Sequence, residues 1–259
     1  MSRPETALIT GASSGIGAEL ARCFARNGTD VVLLARRADA LESLAHELEA
    51  AHPSTAHVLA TDLSDAEAAD RIADRLDDAE IAVDVLVNNA GFGARGRFAE
   101  LGAQRQTDMI AVNVTALTGL SRRLLPGMLD RNRGGILNVA STAAFQPGPY
   151  MSVYYATKAY VLSFSEGLAE EVAGTGVTVS CLAPGPTDTA FADRAGMRDT
   201  TLFQLGATMD PAVVAQIGYD GFQEGHSVVI PGAVNRLMAF MTRFLPRSMA
   251  RKIAAALQR

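Results

Sequence analysis

Apolar residues fall in short continuous runs, separated by longer stretches with helical spacing. The runs are Ala7–Thr10, Val31–Ala35, His57–Ala60, Val83–Val87, Gly135–Ala140, Val177–Leu182 and Ser227–Ile230. They are rich in Val, Ile and Leu, and most do not alternate with polar residues. Such runs suit strands of a parallel sheet buried on both faces. Between them, Ile16, Leu20 and Phe24 share one helix face, and Leu41, Leu44 and Leu48 share another. The longest helix-period stretches are Gln104–Leu125 and Tyr154–Ala173. This alternation predicts an α/β fold, a doubly wound and mostly parallel seven-stranded sheet with helices on both faces. No repeat, low-complexity tract or Pro/Gly/Ser linker interrupts it. One domain over 1–232 is expected, with 233–259 as a helical extension.

Composition narrows the function classes. The chain has 259 residues, 48% hydrophobic and 20% charged, which suits a globular protein with a sizeable core. A net charge of −5 argues against bulk nucleic-acid binding. Cys23 and Cys181 lie far apart in apolar stretches and read as buried thiols of a reducing compartment. Strand-like sequence from Thr6 leaves no room for a signal peptide, and no apolar run reaches 18 residues. A cytoplasmic protein is the expectation. His46, His52, His57 and His226 form no ligand pattern, so no metal is expected.

The predicted strand ends carry the chemistry. Thr10-Gly11-Ala12-Ser13-Ser14-Gly15-Ile16-Gly17 follows the first strand and opens the first helix. Small residues there let the backbone approach a pyrophosphate, and free helix N–H groups face the anion. A tight strand–helix turn is the bland alternative. The second strand ends Leu34-Ala35-Arg36-Arg37. An acid at that end would bind a ribose 2′-hydroxyl, whereas arginine accommodates a 2′-phosphate. Arg36 is favoured for the phosphate; Arg37 is equally readable as a helix-entry charge. Asp62-Leu63-Ser64 after the third strand offers a carboxylate for an adenine amino group, or a helix cap. Asn88-Asn89-Ala90-Gly91 after the fourth suits a ligand crevice or a turn. Ser141 ends the fifth strand, and Pro184-Gly185 follows the sixth. These segments gather at one edge of one sheet, where such folds bind ligands.

Tyr154-Tyr155-Ala156-Thr157-Lys158 completes the set. Tyr154 and Lys158 are four residues apart, one turn on one helix face. Free tyrosine has a pKa of about 10, and a nearby fixed cation favours the phenolate. Lowering the pKa by roughly 3 units takes about 4 kcal/mol. Only Lys158 and Lys252 are lysine among 23 basic residues, so a compact ammonium stands here in a chain that otherwise uses arginine.

Together these motifs resemble the short-chain dehydrogenase/reductase family in its compact single-domain, Rossmann-type form, over roughly the first 230 residues. The resemblance rests on TGASSGIG (Thr10–Gly17), DLS (Asp62–Ser64), NNAG (Asn88–Gly91), Asn113, Ser141, YYATK (Tyr154–Lys158) and PGPTDT (Pro184–Thr189). It implies that Tyr154 exchanges a proton with a carbonyl or alcohol oxygen and that Ser141 hydrogen-bonds the same oxygen. Lys158 would bind the nicotinamide ribose and lower the tyrosine pKa, and Asn113 would hold the long helix and a relay water. It further implies cofactor contacts from Gly11, Ser13, Ser14, Gly15, Ile16, Gly17, Asp62, Leu63, Asn89, Ala90, Gly91, Tyr154, Lys158, Pro184, Gly185, Thr187 and Thr189. Thr187 and Thr189 would lie near the nicotinamide carboxamide. Arg36 resembles the basic residue of NADP-preferring members, so NADP is expected over NAD. The expected activity is hydride transfer between nicotinamide and a carbonyl or secondary alcohol, by a homodimer or homotetramer. Ala156, Ala159, Ser163 and Gly167 form a small-residue stripe suited to such assembly, with Gln104–Leu125 beside it.

The substrate is less legible. Ala190–Met209 should fold over the site. Phe191, Met197, Leu202, Phe203, Leu205 and Phe145 suggest a hydrophobic carbonyl or alcohol, with core packing as the bland reading for each. Two other classes compete: a dinucleotide-sensing binding protein without turnover, and a membrane-surface ketoreductase for acyl or steroid-like substrates.

The tail departs from the family pattern. Residues 225–259 hold six Arg or Lys and no Asp or Glu, leaving the preceding chain at −11 against −5 overall. Leu237, Phe240, Met241, Phe244 and Leu245 follow one helix face until Pro246. Packing on protein, covering the substrate entrance and lying on an anionic membrane compete for it. Packing is the base expectation: a helix near Asn235–Leu245 with Leu237, Met241 and Phe244 buried, the arginines exposed, and membrane contact secondary and weak.

Overall fold

The computed structural model describes residues 5–197, 200 and 208–257. Seven parallel strands form one sheet: β1 (Thr6–Thr10), β2 (Asp30–Ala35), β3 (Ala56–Ala60), β4 (Val85–Asn88), β5 (Gly134–Val139), β6 (Val177–Leu182) and β7 (Val228–Val229). Their spatial order is β3-β2-β1-β4-β5-β6-β7. Every expected strand is present, within a few residues of its apolar run. The chain moves outward from β1 to β3, then returns to lay β4 against β1, with Ala7 beside Val85 and Ile9 beside Val87. Neighbouring loops therefore leave the sheet in opposite directions at the β1/β4 boundary, which opens a crevice at the strand carboxyl ends.

Strand alternation assigns the two faces. Ala7, Ile9, Val31 and Leu33 pack against α1 (Gly15–Arg26), α2 (Ala38–Ala51) and α8 (Pro211–Gln223). Leu8, Val32, Leu86 and Ile136 pack on the other face, against α3 (Ala68–Asp78), α5 (Leu117–Asp130) and α6 (Ser152–Glu171). The long helix expected over Gln104–Leu125 runs from α4 (Ala103–Ile110) through a π-helical stretch, Ala111–Ala116, into α5. That widened turn contains Asn113. Such bulges often accompany functional positions.

Polar groups inside the sheet are paired. The Asn88 amide donates to Asn138 Oδ1 at 2.9 Å and to Ser121 Oγ at 3.1 Å. The Asn138 amide donates to Ser165 Oγ at 2.9 Å. This buried chain ties α5, β4, β5 and α6 together beneath the catalytic edge, and it fixes their register because each group would otherwise be desolvated without a partner.

The tail corrects the packing expectation. It forms α9 (Ala233–Met241) and α10 (Arg247–Leu257). Ala239, Ala250 and Ala254 are buried, whereas Leu237, Met241 and Phe244 are exposed. The reason is close approach. Asn235 sits against Gly185, where an added Cβ would come within 2.5 Å of its amide nitrogen. Only the small face of α9 can dock at that distance, which leaves Leu237 and Phe244 facing outward and Met241 at the rim of a cleft.

Asn138→Ala should deprive both Asn88 and Ser165 of a buried partner. We expect a loss of about 2 kcal/mol in unfolding free energy, measured by denaturant titration.

Candidate active site

The first strand ends in a tie across the crevice. Thr10 Oγ1 donates to the Val87 carbonyl at 3.2 Å and accepts from Asn89 N and Ala90 N, both at 2.9 Å. In return the Asn89 amide donates to the Thr10 carbonyl at 2.9 Å. The glycine loop and the Asn88–Gly91 turn therefore form one rigid floor. Ser14 precedes α1, and among the described residues no side chain caps that helix and no acid stands in its first turn. Its N–H groups and positive dipole end face the crevice, a ready anion site.

A cleft of about 1220 Å³ follows the carboxyl ends of the strands. That exceeds the several hundred Å³ of an ordinary small-ligand pocket and leaves room for two ligands side by side. Its walls include Gly11, Ser13, Ser14, Gly15, Ile16, Arg36, Asp62, Leu63, Asn89, Ala90 and Gly91 at one end. Ser141, Tyr154, Lys158, Pro184, Gly185, Thr187 and Thr189 line the remainder. Two expected residues stand behind the wall. Gly17 packs under the loop, where a Cβ would meet the Asn89 amide nitrogen at 2.3 Å and the Gly11 carbonyl oxygen at 2.5 Å. Asn113 is buried, accepting from Phe92 N at 3.1 Å and donating to Phe92 O at 3.1 Å and Thr157 Oγ1 at 3.0 Å. Its side chain clamps α6 and the Asn88–Gly91 segment to the widened helix.

Helix α6 presents Tyr154 and Lys158 side by side. The Lys158 ammonium donates to the Val139 carbonyl at 2.7 Å and lies 5.9 Å from the Tyr154 ring centre. Gly91 lies beside Lys158 and Asn113: a Cβ there would crowd Asn113 Oδ1 at 3.1 Å and touch Lys158 Nζ at 3.4 Å. Burial pushes Lys158 down to about 8, partly opposed by nearby Cys181. The phenol departs from expectation. Burial drives the Tyr154 pKa up, and a hydrogen bond with Ser141 only partly opposes this. Desolvation is the largest influence on the phenol, and the Lys158 ammonium is directed at the Val139 carbonyl. Ser141 Oγ accepts from Ala143 N at 3.1 Å, which holds the hydroxyl toward the cleft.

At the outer end of β2, Arg36 is mostly exposed, 3.9 Å from Asp62 Oδ2. Asp62 accepts from the Ser64 backbone at 3.0 Å and its hydroxyl at 2.8 Å, and these bonds hold its pKa below the usual range. Arg37 donates to the Ser13 carbonyl at 3.0 Å and hydroxyl at 3.1 Å, so it belongs to the cleft as much as Arg36 does.

Known proteins agree with this arrangement. The family model for short chain dehydrogenase matches residues 5–199. The chain belongs to the short-chain dehydrogenase/reductase family of oxidoreductases. An uncharacterized oxidoreductase of Bacillus subtilis, YvrD, is 39% identical over 181 residues, 70% of this chain and 67% of the relative. A short-chain dehydrogenase from Sphingobium yanoikuyae, solved in complex with NADPH, is 35% identical with a TM-score of 0.82, covering 93% of each chain. A bulky-bulky ketone specific alcohol dehydrogenase from Comamonas testosteroni is 31% identical with a TM-score of 0.79, covering 94% of this chain and 93% of that one.

Several cleft residues of this oxidoreductase escaped the sequence reading. Phe92, Arg105 and Asp108 contribute from the α4 side, and Arg194 from α7 (Ala190–Ala195). Arg105 donates to the Arg194 carbonyl at 2.8 Å and lies 5.8 Å from the Phe92 ring centre. Phe191 packs on Tyr154 with ring centres 5.3 Å apart, and Met197 joins the same apolar cluster, as expected of the covering segment. Leu202, Phe203 and Leu205 lie outside the described residues. The tail supplies Val234, Met238, Met241, Leu245 and Ile253 to the cleft wall. Covering the entrance, the second use weighed for the tail, is therefore one that the fold provides. Only its helical period was legible, since nothing in the tail's own sequence says what it lies against.

Gly17→Ala cannot be accommodated without moving the Gly11 carbonyl or the Asn89 amide. Its Tm should fall by several degrees relative to wild type in a calorimetric scan. An unchanged Tm would mean that the loop yields freely.

Proposed function

We propose that this chain is an NADP(H)-dependent oxidoreductase that moves a hydride between nicotinamide and a hydrophobic carbonyl or secondary alcohol. The observation that carries the reading is the convergence of Ser141, Tyr154 and Lys158 in an apolar-walled cleft whose far end is an uncapped helix N-terminus. The donor set fits a dinucleotide. The Gly15 end of α1 would hold the pyrophosphate, Asp62 and Leu63 the adenine, and Lys158 with Asn89–Gly91 the nicotinamide ribose. Thr187 and Thr189 would hold the carboxamide. The bound nicotinamide supplies the hydride donor or acceptor.

The chain's own residues do the rest. The buried Tyr154 phenol, protonated at neutral pH, donates its proton to the carbonyl oxygen during reduction and takes it back in oxidation. Ser141 donates a hydrogen bond to the same oxygen and orients it. Lys158, still mostly protonated at pH 7 with a pKa near 8, supplies positive charge behind the phenol as the proton leaves. Phe191, Met197, Met238 and Met241 exclude water and favour an apolar substrate. The domain before residue 233 carries this chemistry, and helices α9 and α10 wall its entrance.

Cofactor choice rests on Ala35, Arg36 and Arg37. No acid stands at the end of β2 to bind a 2′-hydroxyl, and two arginines line the cleft there instead, Arg37 on Ser13 and Arg36 near Asp62. The relative solved with NADPH supports the same preference. The Ala156, Ala159, Ser163 stripe on α6 is exposed, which supports assembly through that face as a homodimer or homotetramer. Among the described residues no helix is long and apolar enough to cross a membrane.

Turnover and pH dependence test the mechanism together. Tyr154→Phe should lower kcat at least about 100-fold while NADPH binding, read by fluorescence, stays within a few-fold of wild type. For wild type, reduction needs a protonated phenol and a charged lysine. Its rate should hold from pH 6 to pH 7 and decline as Lys158 loses its proton through about 8. Oxidation needs the phenolate, so it should instead rise with pH. A reduction rate that climbs above pH 8 would contradict these roles.

A separate measurement addresses cofactor choice. Arg36→Ala should weaken NADPH binding by roughly tenfold, about 1.4 kcal/mol, with NADH affinity unchanged. Arg37→Ala should do likewise and also loosen Ser13. Equal wild-type affinity for the two dinucleotides would refute the assignment.

A further inference from the structure

The α9–α10 pair is amphipathic the wrong way round for a packed helix. Its small residues face the protein, and four large apolar ones that do not line the cleft face outward. Leu237 is 61% exposed, Phe240 53%, Phe244 68% and Met249 51%. None of the four lines the cleft. Phe240 and Phe244 pack edge to face, ring centres 5.1 Å apart, so they form a continuous apolar surface. Exposed Arg236, Arg243, Arg247, Arg251 and Lys252 surround it, and residues 225–257 contain no carboxylate side chain. Contiguous exposed apolar groups mark an interaction surface, and their basic border defines what it meets.

We propose that this outer face docks on an anionic membrane surface. Large apolar side chains with arginine and lysine at their edge suit a helix pair lying in the headgroup layer, where the apolar groups leave water and the cations meet lipid phosphate. A second copy fits poorly. A two-fold contact through this face would set five cations against the same five cations and leave them without counter-charge. The adjoining side of the same helices lines the cleft through Met238, Met241 and Ile253, so docking brings the cleft mouth to the lipid. An apolar substrate would then reach the site without crossing bulk water.

The test is co-sedimentation of the full chain with phosphatidylcholine vesicles, with and without phosphatidylglycerol, at low and high salt. Wild type should bind the anionic vesicles, bind neutral ones weakly, and be released by salt. A variant carrying L237S, F240S, F244S and M249S should partition at least about tenfold less while keeping its helical circular dichroism. A second variant, R243E with R247E and R251E, keeps the apolar face and should lose the anionic preference. Absence of binding to anionic vesicles would overturn the proposal, as would undiminished binding by both variants. So would a change of assembly state in the four-serine variant without lipid, which would mark the face as a subunit contact. The readout is vesicle binding, so failure here leaves the catalytic reading intact.

Discussion

Everything in the cleft depends on the tie between β1 and β4. Thr10, at the end of one strand, satisfies three backbone groups of the other through a single hydroxyl, and Asn89 answers with its amide. Without that exchange, the half-buried Ala90 N–H would lose its partner and the turn after β4 would lose its tie to the glycine loop. With it, the glycine loop, the helix α1 N-terminus and Gly91 hold fixed positions. Gly91 in turn leaves room beside it for the Asn113 side chain. The catalytic geometry is thus a consequence of backbone satisfaction at the switch point, carried outward by side chains on three elements.

Burial then sets the chemistry. Tyr154 and Lys158 are both out of water, and desolvation disfavours the charged form of each. It pushes the phenol up and the ammonium down, to about 8 for Lys158. In the proposed mechanism the tyrosine is a proton donor at rest, and it becomes a base only when charge in the site compensates the phenolate. The Val139 carbonyl and Ser141 hydroxyl determine where each group points, so orientation is supplied by β5 and its following turn, while burial supplies the energetics. The same apolar walls that shift these groups exclude water from the reacting atoms.

The tail follows a different rule from the core. Core helices bury large side chains because the sheet surface offers depth for them. Helices α9 and α10 dock on a turn and on the cleft rim, where Gly185 and short side chains permit only close, shallow contact. Ala239, Ala250 and Ala254 are buried there, Met238, Met241 and Ile253 turn to the cleft, and Leu237, Phe240, Phe244 and Met249 are left facing outward.

Strand positions, fold class and the tyrosine–lysine pair were legible in the chain because each rests on local spacing: continuous apolar runs, helical period, and glycine at strand–helix turns. The family likeness added roles that spacing alone does not carry, and the cleft brought most of those residues together. What lay beyond reach were properties set by neighbours distant in sequence. Arg37 looked like a helix-entry charge because its contact with Ser13 crosses two elements. Gly17 looked like a ligand contact, yet it stands behind the wall with Asn113, and both position the residues that line it. The tail's periodicity gave a helix but not its orientation, since a moment shows which face is apolar and not which face finds a partner. The phenol's raised pKa escaped for the same reason. A lysine one turn away is visible in the sequence, whereas burial on every side, and a carbonyl that claims the ammonium, exist only once the sheet has assembled around them.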